Sequence, residues 1–265
     1  MSFVFSSSPL HSSMGTAASA PLRLMRRAMT RQRSVVPAAT SASASAGKVR
    51  PANASNAKVA ARYLRNEGVI AVPTDTIYGL AAHAGRDGGV KRLWEIKGRP
   101  SDLPIGIAVH EVAAIGKYAR VEHVPDGLLE ALLPGPVTVV LPRHEESALA
   151  PSLNPGRTNV GVRVPEDDFL RAALDDLQAA IALTSANRSG ATSTLAVSEF
   201  EDLWPSLDAV FDGGAIESGR AGSTIVDLSN AKSDGAPWTF KVLRDGSALT
   251  PTVDTVRQFG GTQVT

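Results

Sequence analysis

Cationic side chains recur beside glycines and at the ends of apolar runs in this 265-residue chain. Lys97 and Arg99 flank Gly98, whereas Arg163 and Arg244 each end an apolar run. Arginine binds phosphate or carboxylate through two parallel hydrogen bonds, and lysine adds a compact charge. Together these cations predict a site for a polyanionic ligand. For Lys97 and Arg99 a purely structural role is the alternative, because cations are also favoured at helix C-termini.

Hydroxyl and amide side chains accompany these cations in three stretches. Residues 74–76 are Thr-Asp-Thr, residues 184–190 are Thr-Ser-Ala-Asn-Arg-Ser-Gly, and residues 223–227 are Ser-Thr-Ile-Val-Asp. Each stretch adjoins an apolar run that predicts a strand, and open α/β sheets bind ligands at strand ends. Any one of them alone is explained by a turn or a helix cap. Their combination with the cations favours a ligand site.

Several classes of enzyme are excluded by residues that the chain lacks. It has no cysteine, which excludes disulfides, thiolate zinc sites, iron–sulfur clusters and a cysteine nucleophile. Neither a G-x-x-x-x-G-K-[ST] motif nor a G-x-G-x-x-G motif after a strand is present. The five histidines have no metal-ligand spacing, and Ser185 has no evident His and acid partners for a hydrolase triad.

The first fifty residues differ in composition from the rest. They carry seven Lys or Arg, no Asp or Glu, and are rich in Ser and Ala, with an arginine cluster over residues 23–33. This composition is typical of a mitochondrial or chloroplast transit peptide, and a disordered tail without an address is the alternative. We therefore expect residues 1–50 to be disordered and to direct the chain to mitochondria, chloroplasts or both. A later start at Met14, Met25 or Met29 would give a cytoplasmic form.

Beyond residue 50 the chain is mildly acidic, with a net charge of −6. A negative domain argues against tight nonspecific binding to nucleic acid. No apolar run approaches the roughly 18 residues that a membrane-spanning helix needs, so no membrane span is predicted.

Helical and strand patterns alternate along the remainder and supply the elements that must position the polar clusters. The first helix is expected from about Ser55, capped by Asn53 or Ser55 and ending at Gly68; Asp87 is expected to cap the second, which ends at Gly98. Further helices are predicted over 126–133 and 169–177, and strands over 69–72, 105–109, 137–141, 160–164, 181–183, 209–211, 225–228 and 240–243. The alternation predicts one layered α/β domain with a mixed sheet over residues 52–250, followed by a C-terminal tail, 251–265.

Six motifs in a fixed order resemble the YrdC/Sua5 family of threonylcarbamoyl-AMP synthases. They are Pro73 to Leu80, Lys97-x-Arg99, Pro134 to Thr138, Val162 to Pro165, Ser185 to Gly190 and Ser223 to Asp227. The resemblance covers about residues 55–246 and is that of the single-domain, YrdC type.

The resemblance implies a fold and a reaction. The fold would be a twisted mixed α/β sheet flanked by helices around a large concave groove (YrdC/RibB-like). The activity would be that of a nucleotidyltransferase joining L-threonine, bicarbonate and ATP into L-threonylcarbamoyladenylate and releasing pyrophosphate. Mg²⁺ would accompany ATP, and a downstream tRNA threonylcarbamoyltransferase would use the product to make N6-threonylcarbamoyladenosine.

The resemblance also implies site residues, position by position. L-threonine would be held by Thr76, Arg163, Ser185 and Ser223; ATP would be bound by Arg99, Asn159, Asn187 and Arg244; and Lys97 and Arg99 are the expected catalytic residues. The chain departs from the family pattern at Leu103, at Leu195 and at Asp245.

Three other functions are compatible with parts of the pattern. The first is a module that binds double-stranded RNA or tRNA without catalysis, which the net charge disfavours. The second is an enzyme like dihydroxybutanone-phosphate synthase, which needs an acidic metal cluster that the sequence does not display. The third is a carbamoyl-transfer domain of hydrogenase maturation, which is part of longer, cysteine-rich chains.

Overall fold

A computed structural model describes residues 47–98 and 103–265, and in this part of the chain eleven strands form one mixed sheet. The strands are β1 (Val49–Pro51), β2 (Ile70–Val72), β3 (Gly79–His83), β4 (Gly106–Ala108), β5 (Val137–Pro142), β6 (Asn159–Arg163), β7 (Ile181–Ser185), β8 (Ala209–Asp212), β9 (Thr224–Asp227), β10 (Trp238–Arg244) and β11 (Gly261–Gln263). Their order across the sheet is β1-β8-β2-β3-β7-β4-β6-β5-β9-β10-β11, with parallel and antiparallel neighbours. The predicted mixed sheet is therefore confirmed.

Helices connect the strands and begin and end where local chemistry allows. They are α1 (Ala54–Arg65), α2 (Asp87–Lys97), α3 (Leu128–Leu132), α4 (Asp168–Leu177) and α5 (Leu249–Gln258), with 3₁₀ helices at Val112–Lys117 and Val197–Ser206. Asn53 caps α1 by accepting from the Asn56 amide at 3.2 Å, and Asp167 caps α4 by accepting from the Leu170 amide at 2.7 Å. Gly98 ends α2 in the left-handed region at φ 57°, which glycine adopts without strain.

Asp87 does not cap α2 as the sequence predicted, because Arg86 occupies the N-cap position. Asp87 is instead the first residue of the helix. Its carboxylate accepts from the Ser152 amide at 3.0 Å and lies 2.5 Å from the Lys91 ammonium. It ties α2 to a distant loop rather than to its own backbone.

The two faces of the sheet are covered differently. One face packs over most of its width against α2, α3, α5 and the 3₁₀ helices in a large apolar core. On the other face, α1 and α4 pack against β8, β2, β3 and β7 and reach Ala108 of β4. Beyond Ala108 the same face continues over β6, β5 and β9 with half-buried residues, among them Asn159, Gly161 and Ile225. This change of cover produces a concave region beside the two helices.

Two glycines, Gly106 and Gly161, lie side by side in this region of the sheet. In β6, Val160 and Val162 point into the apolar core, so Asn159, Gly161 and Arg163 lie on the opposite face. A Cβ atom on Gly161 would lie 3.2 Å from Thr138 Cγ2, and one on neighbouring Gly106 would lie 3.3 Å from the Gly161 carbonyl oxygen. The two glycines therefore let the strands and the side chain of Thr138 approach one another closely.

The N-terminal boundary of the domain lies before residue 52, so the prediction that the disordered segment reaches residue 50 is wrong. Residues 49–51 form β1, which pairs in parallel with β8. Lys48 Nζ donates to the carbonyl oxygens of Trp204 and Leu207, at 3.3 and 2.7 Å, and of Pro205 at 3.0 Å. A three-residue strand with one apolar side chain has no periodicity to detect. Residues 1–46 of the predicted targeting segment, 1–50, lie outside the described residues.

The C-terminal boundary is also wrong in the sequence prediction, because residues 251–265 are not a tail. α5 buries Val253 and Val256, and β11 pairs in parallel with β10. The helical stripe was missed because it contains only a few apolar residues and a proline in its first turn.

No helix in the described part of the chain is both long and apolar enough to cross a bilayer.

Candidate functional site

Arg163 and the loop 73–78 meet at the centre of the candidate site. Arg163 Nη2 donates to Asp75 Oδ1 at 2.6 Å, and Nη1 donates to Thr76 Oγ1 at 3.3 Å. Both charged side chains are 9% exposed. Arg163 ends β6 and the loop follows β2, so two strands far apart in the sheet supply the contact.

The ion pair leaves one polar atom of each partner unused. Arg163 Nε and Asp75 Oδ2 are both buried without a hydrogen-bond partner. Burial lowers the pKa of the Arg163 guanidinium, and the Asp75 charge opposes this effect. Buried donors and acceptors are nearly always paired in native proteins, so two adjacent unpaired atoms mark a place where a ligand can bind.

A second carboxyl group lies close to this pair. The pKa of Asp167 is raised, mainly by burial and also by the negative charge of Asp75. Asp167 still caps α4, so its carboxylate is held in place by the Leu170 amide.

Ser223 and Arg244 form a neighbouring cluster with Thr138. Ser223 Oγ lies 2.8 Å from Thr138 Oγ1 and accepts from Arg244 Nη2 at 2.9 Å, while Arg244 Nε donates to the Ser223 carbonyl oxygen at 2.9 Å. The pKa of Arg244 is lowered by burial and, to a smaller extent, by the positive charge of Arg163. The two guanidinium groups thus lie within electrostatic range, an arrangement that favours an anion near both.

The segment that precedes Ser223 is attached to the loop 73–78. Ser218 Oγ donates to the Thr76 carbonyl oxygen at 2.6 Å, and Gly222 lies against Ile77. Tyr78 Oη accepts from the Gly213 amide at 2.9 Å and donates to the Gly214 carbonyl oxygen at 2.8 Å. Burial raises the pKa of Tyr78 to about 12, so its hydroxyl is neutral at physiological pH. These contacts hold Thr76 and Ser223 in one cluster.

Lys97, Ser185 and Asn187 form the third cluster. Lys97 is 2% exposed, and its Nζ donates to the Ser185 carbonyl oxygen at 2.8 Å, the Asn187 carbonyl oxygen at 2.5 Å and Asn187 Oδ1 at 2.9 Å. Ser185 Oγ lies 3.3 Å from the same nitrogen and also donates to Asn187 Oδ1. Ser185 is paired with Gly79 across β7 and β3, immediately after the loop 73–78. Lys97 therefore fixes the two predicted binding residues that follow β7.

The other predicted site residues lie further away or outside the described residues. Asn159 begins β6 on the same face as Arg163, about 13 Å along the strand at 3.3 Å per residue. Arg99 lies outside the described residues, so its predicted catalytic role stays a prediction. Leu103, where the chain departs from the family pattern, is 56% exposed.

The structure thus brings together most of the predicted residues and adds others. Thr76, Arg163, Ser223 and Arg244 lie in one region, and Lys97, Ser185 and Asn187 in a second. Asp75 and Thr138 were named in the sequence only as members of motifs and were given no role, and Gly161 was not named. Asp75 lies between two motif threonines, and that position was the only signal available for it.

Within residues 47–98 and 103–265, no group of three or more His, Asp or Glu side chains is placed to hold a metal ion. The arrangement suits binding of an anionic organic ligand by guanidinium groups, hydroxyls and backbone.

Comparisons with known proteins place the chain among relatives of known name. The family model Sua5_yciO_yrdC, described as "Telomere recombination", matches residues 62–246. The chain is 43% identical over 206 residues to a Homo sapiens protein named threonylcarbamoyl-AMP synthase, and the match covers 76% of this chain and 71% of that protein.

Solved structures also resemble this chain. Pyrococcus abyssi Sua5 complexed with L-threonine is 29% identical with a TM-score of 0.65, and the match covers 75% of this chain and 56% of that one. The chain therefore spans little more than half the length of that Sua5 protein. Escherichia coli YciO is 24% identical with a TM-score of 0.63, and the match covers 76% of this chain and 94% of that one, which supports the fold.

Proposed function

This chain belongs to the Sua5/YciO/YrdC family, and we propose that it synthesises L-threonylcarbamoyladenylate from L-threonine, bicarbonate and ATP, with release of pyrophosphate. The observation that supports this most directly is the cluster of Thr76, Arg163, Ser223 and Arg244, which combines two guanidinium groups with two hydroxyls. It has the charge and hydrogen-bonding groups that a hydroxy amino acid requires. The names of the related proteins agree with it.

In this proposal L-threonine occupies the region around Arg163. The guanidinium group binds the substrate carboxylate, because the planar fork matches two carboxylate oxygens. Thr76, Ser185 and Ser223 supply hydroxyl partners for the polar groups of threonine. A site that hydrogen-bonds a substrate hydroxyl can reject an analogue without it by about 10⁴-fold, so valine should be a poor substrate.

ATP in this proposal binds beside threonine. Arg244, Asn187 and Asn159 are proposed to contact it, and Arg99 is proposed to bind the triphosphate. Arg99 and Lys97 are proposed to stabilise charge as the threonylcarbamate attacks the α-phosphorus and pyrophosphate leaves. Positioned charges of this kind accelerate such transfers without covalent chemistry by the protein.

Mg²⁺ is proposed as a component of the ATP substrate, supplying charge neutralisation on the phosphates. Since the described residues group no three metal ligands, we assign it no protein ligand and no step.

The product is proposed to pass to a tRNA threonylcarbamoyltransferase. A mixed anhydride of this kind hydrolyses in water, so the synthesis and the consuming reaction are expected to be coupled closely. Weak binding of tRNA or double-stranded RNA is the second role considered from the sequence, and it forms one outcome of the test below.

The test is pyrophosphate release by the full chain with Mg²⁺, ATP, bicarbonate and one amino acid at a time. We expect release with L-threonine and little with L-valine or without bicarbonate. Release that ignores the amino acid, or salt-sensitive RNA binding with no ATP turnover, would contradict the proposal.

The subcellular location of the chain is a separate proposal. The acid-free, Arg- and Ser-rich segment 1–46 is proposed to direct the chain to mitochondria or chloroplasts. A reporter fused to residues 1–46 should enter one of these organelles, whereas diffuse cytosolic fluorescence would count against targeting.

A further inference from the structure

We infer that Asp75 recognises the α-ammonium group of the amino-acid substrate, through the carboxylate oxygen that does not face Arg163. This inference rests on the proposed function, since it takes an amino acid as the ligand of the Arg163 cluster. It assigns a specificity-determining role to a residue that the sequence did not single out.

The first argument is the pairing of the two unused atoms. Arg163 Nε is an unpartnered donor and Asp75 Oδ2 is an unpartnered acceptor, and both are buried. The two side chains are joined by their other atoms at 2.6 Å, so the free donor and the free acceptor lie on adjacent groups. A ligand that satisfies both must carry an acceptor and a donor a few bonds apart. An α-amino acid has this pattern, with a carboxylate next to an ammonium group.

The second argument is the balance of charge around the site. Arg163 and Arg244 favour an anion, but Asp75 is bonded to Arg163, and its carboxylate would repel a ligand that carried only negative charge. A zwitterion avoids the conflict, because its ammonium group can face Asp75 while its carboxylate faces the guanidinium groups. Burial strengthens both contacts, since water competes little at side chains that are 9% exposed.

The third argument separates recognition from simple positioning of Arg163. Asp75 Oδ1 already orients the guanidinium group through Nη2. The other oxygen, Oδ2, is buried and has no hydrogen-bond partner in the protein, so it takes no part in orienting Arg163. Asp75 Oδ2 is therefore available for the ligand, and the charged form of Asp75 makes the stronger hydrogen bond with an ammonium group.

The experiment compares two ligands on the full chain by isothermal titration calorimetry. One is L-threonine, and the other is the hydroxy acid in which a hydroxyl replaces its α-amino group. Wild-type protein should bind L-threonine about 100-fold more tightly, the range expected when a buried charge loses its partner. Asp75→Asn should weaken L-threonine binding about 100-fold. The same variant should bind the hydroxy acid as tightly as wild type or more so, because Arg163 is no longer shared with a competing carboxylate.

Asp167→Asn is the matched control, because it removes a nearby negative charge and keeps the capping oxygen on α4. It should change both affinities by less than about threefold. A loss equal to that of Asp75→Asn would show that general charge, rather than contact with Asp75 Oδ2, decides binding, and would overturn the inference. Equal weakening of both ligands by Asp75→Asn would also overturn it, since Asp75 would then act only through Arg163.

Should Asp75→Asn fail to fold, the wild-type comparison decides alone: a 100-fold preference for L-threonine supports the inference and equal affinity overturns it. The proposed function is judged separately by pyrophosphate release. If wild-type protein bound L-threonine with the stated preference but released no pyrophosphate, that result would contradict the proposed function and would support the inference.

Discussion

Lys97 and Arg163 are both buried cations among the predicted site residues, but their surroundings differ. The three N–H groups of Lys97 meet four oxygen acceptors of Ser185 and Asn187. Arg163 is bonded to Asp75 and Thr76 and retains a buried Nε atom without a partner. A cation whose donors are all engaged by the protein holds the backbone in place. A cation with an unused donor can bind a ligand at little cost in reorganisation.

Lys48 shows the first arrangement at a place far from the site. Its Nζ donates to three backbone carbonyl oxygens at the end of the second 3₁₀ helix, shortly before β8 begins. Like Lys48, Lys97 donates to backbone carbonyl oxygens. Like Arg163, it is one of the predicted site residues. Substitutions at these positions therefore separate stability from ligand binding.

The largest effect is expected for Arg163→Lys. Lysine keeps the charge but loses the planar fork, so kcat/KM for L-threonine should fall by about 10²–10³-fold, the range for loss of one preorganised electrostatic group. Arg257→Lys, on the exposed face of α5, is the control and should leave kcat/KM unchanged. Steady-state pyrophosphate release measures both. A tenfold or smaller loss for Arg163→Lys would show that its unused donor does not contact the substrate.

The sequence predicts local features of these surroundings better than contacts between distant residues. The apolar stripe of α4, the Asn53 cap of α1 and the end of α2 at Gly98 were predicted, because their signals lie close together in the sequence. The positions of Lys97 and Arg163 as ligand-site cations were also predicted from their neighbours. Their hydrogen-bond partners were not, since Lys97 and Asn187 are 90 residues apart and Arg163 and Asp75 are 88.

The short edge strands β1 and β11 were not predicted, for a related reason. β1 and β11 have three residues each and are stabilised by the partner strands β8 and β10. A strand of this length has no alternation to recognise, and its conformation depends on a neighbour that only the fold supplies. The family resemblance likewise named Thr76 and Ser223 as site residues. The contacts of Ser218 and Gly222 that join them form only in the fold and could not be predicted from the sequence.

The next largest effect is expected for Lys97→Met. Methionine has a similar length but no N–H groups, so acceptors on Ser185 and Asn187 lose their donor. We expect the free energy of unfolding to fall by about 3 kcal/mol, which for a domain of this size lowers Tm by about 6–12 °C. Pyrophosphate release should fall as well, because Ser185 and Asn187 shift. Thermal unfolding and turnover on the same sample test this.

An unchanged Tm with abolished turnover for Lys97→Met would contradict the structural role that distinguishes Lys97 from Arg163. It would show that the ammonium group acts on the substrate, as the sequence analysis predicted, rather than on the backbone after β7.

A smaller effect with a distinctive pH dependence is expected for Tyr78→Phe. The variant loses the hydrogen bonds to Gly213 and Gly214 and should be less stable by about 1–2 kcal/mol at pH 7. The folded protein holds the phenolic proton more tightly than the unfolded chain, since the pKa of Tyr78 is raised from 10.0 to about 12. The contribution of the hydroxyl is therefore complete below pH 10 and is lost as the pH rises towards 12.

Urea unfolding of wild type and Tyr78→Phe at several pH values measures this contribution. The difference in stability should be constant up to about pH 10 and should shrink above it. A constant difference up to pH 12 would mean that the hydroxyl is not buried in the folded protein, and that the segment 213–222 is held to the loop 73–78 by other contacts.

The smallest effect is expected for Lys48→Met, and it completes the comparison. Lys48 is half-buried rather than fully buried, and hydrogen bonds at its position compete with water. Loss of its contacts should lower the free energy of unfolding by about 1 kcal/mol and Tm by about 2–4 °C. Turnover below Tm should stay within twofold of wild type, because Lys48 holds the start of β8 and no residue of the candidate site.

A chain that begins at Ala52 lacks both Lys48 and β1 and should be less stable than Lys48→Met, whereas a chain that begins at Gly47 should match wild type. If Lys48→Met lowered turnover as strongly as Lys97→Met, then the loss in Lys97→Met would follow from general destabilisation, and location at the groove would not distinguish the two lysines.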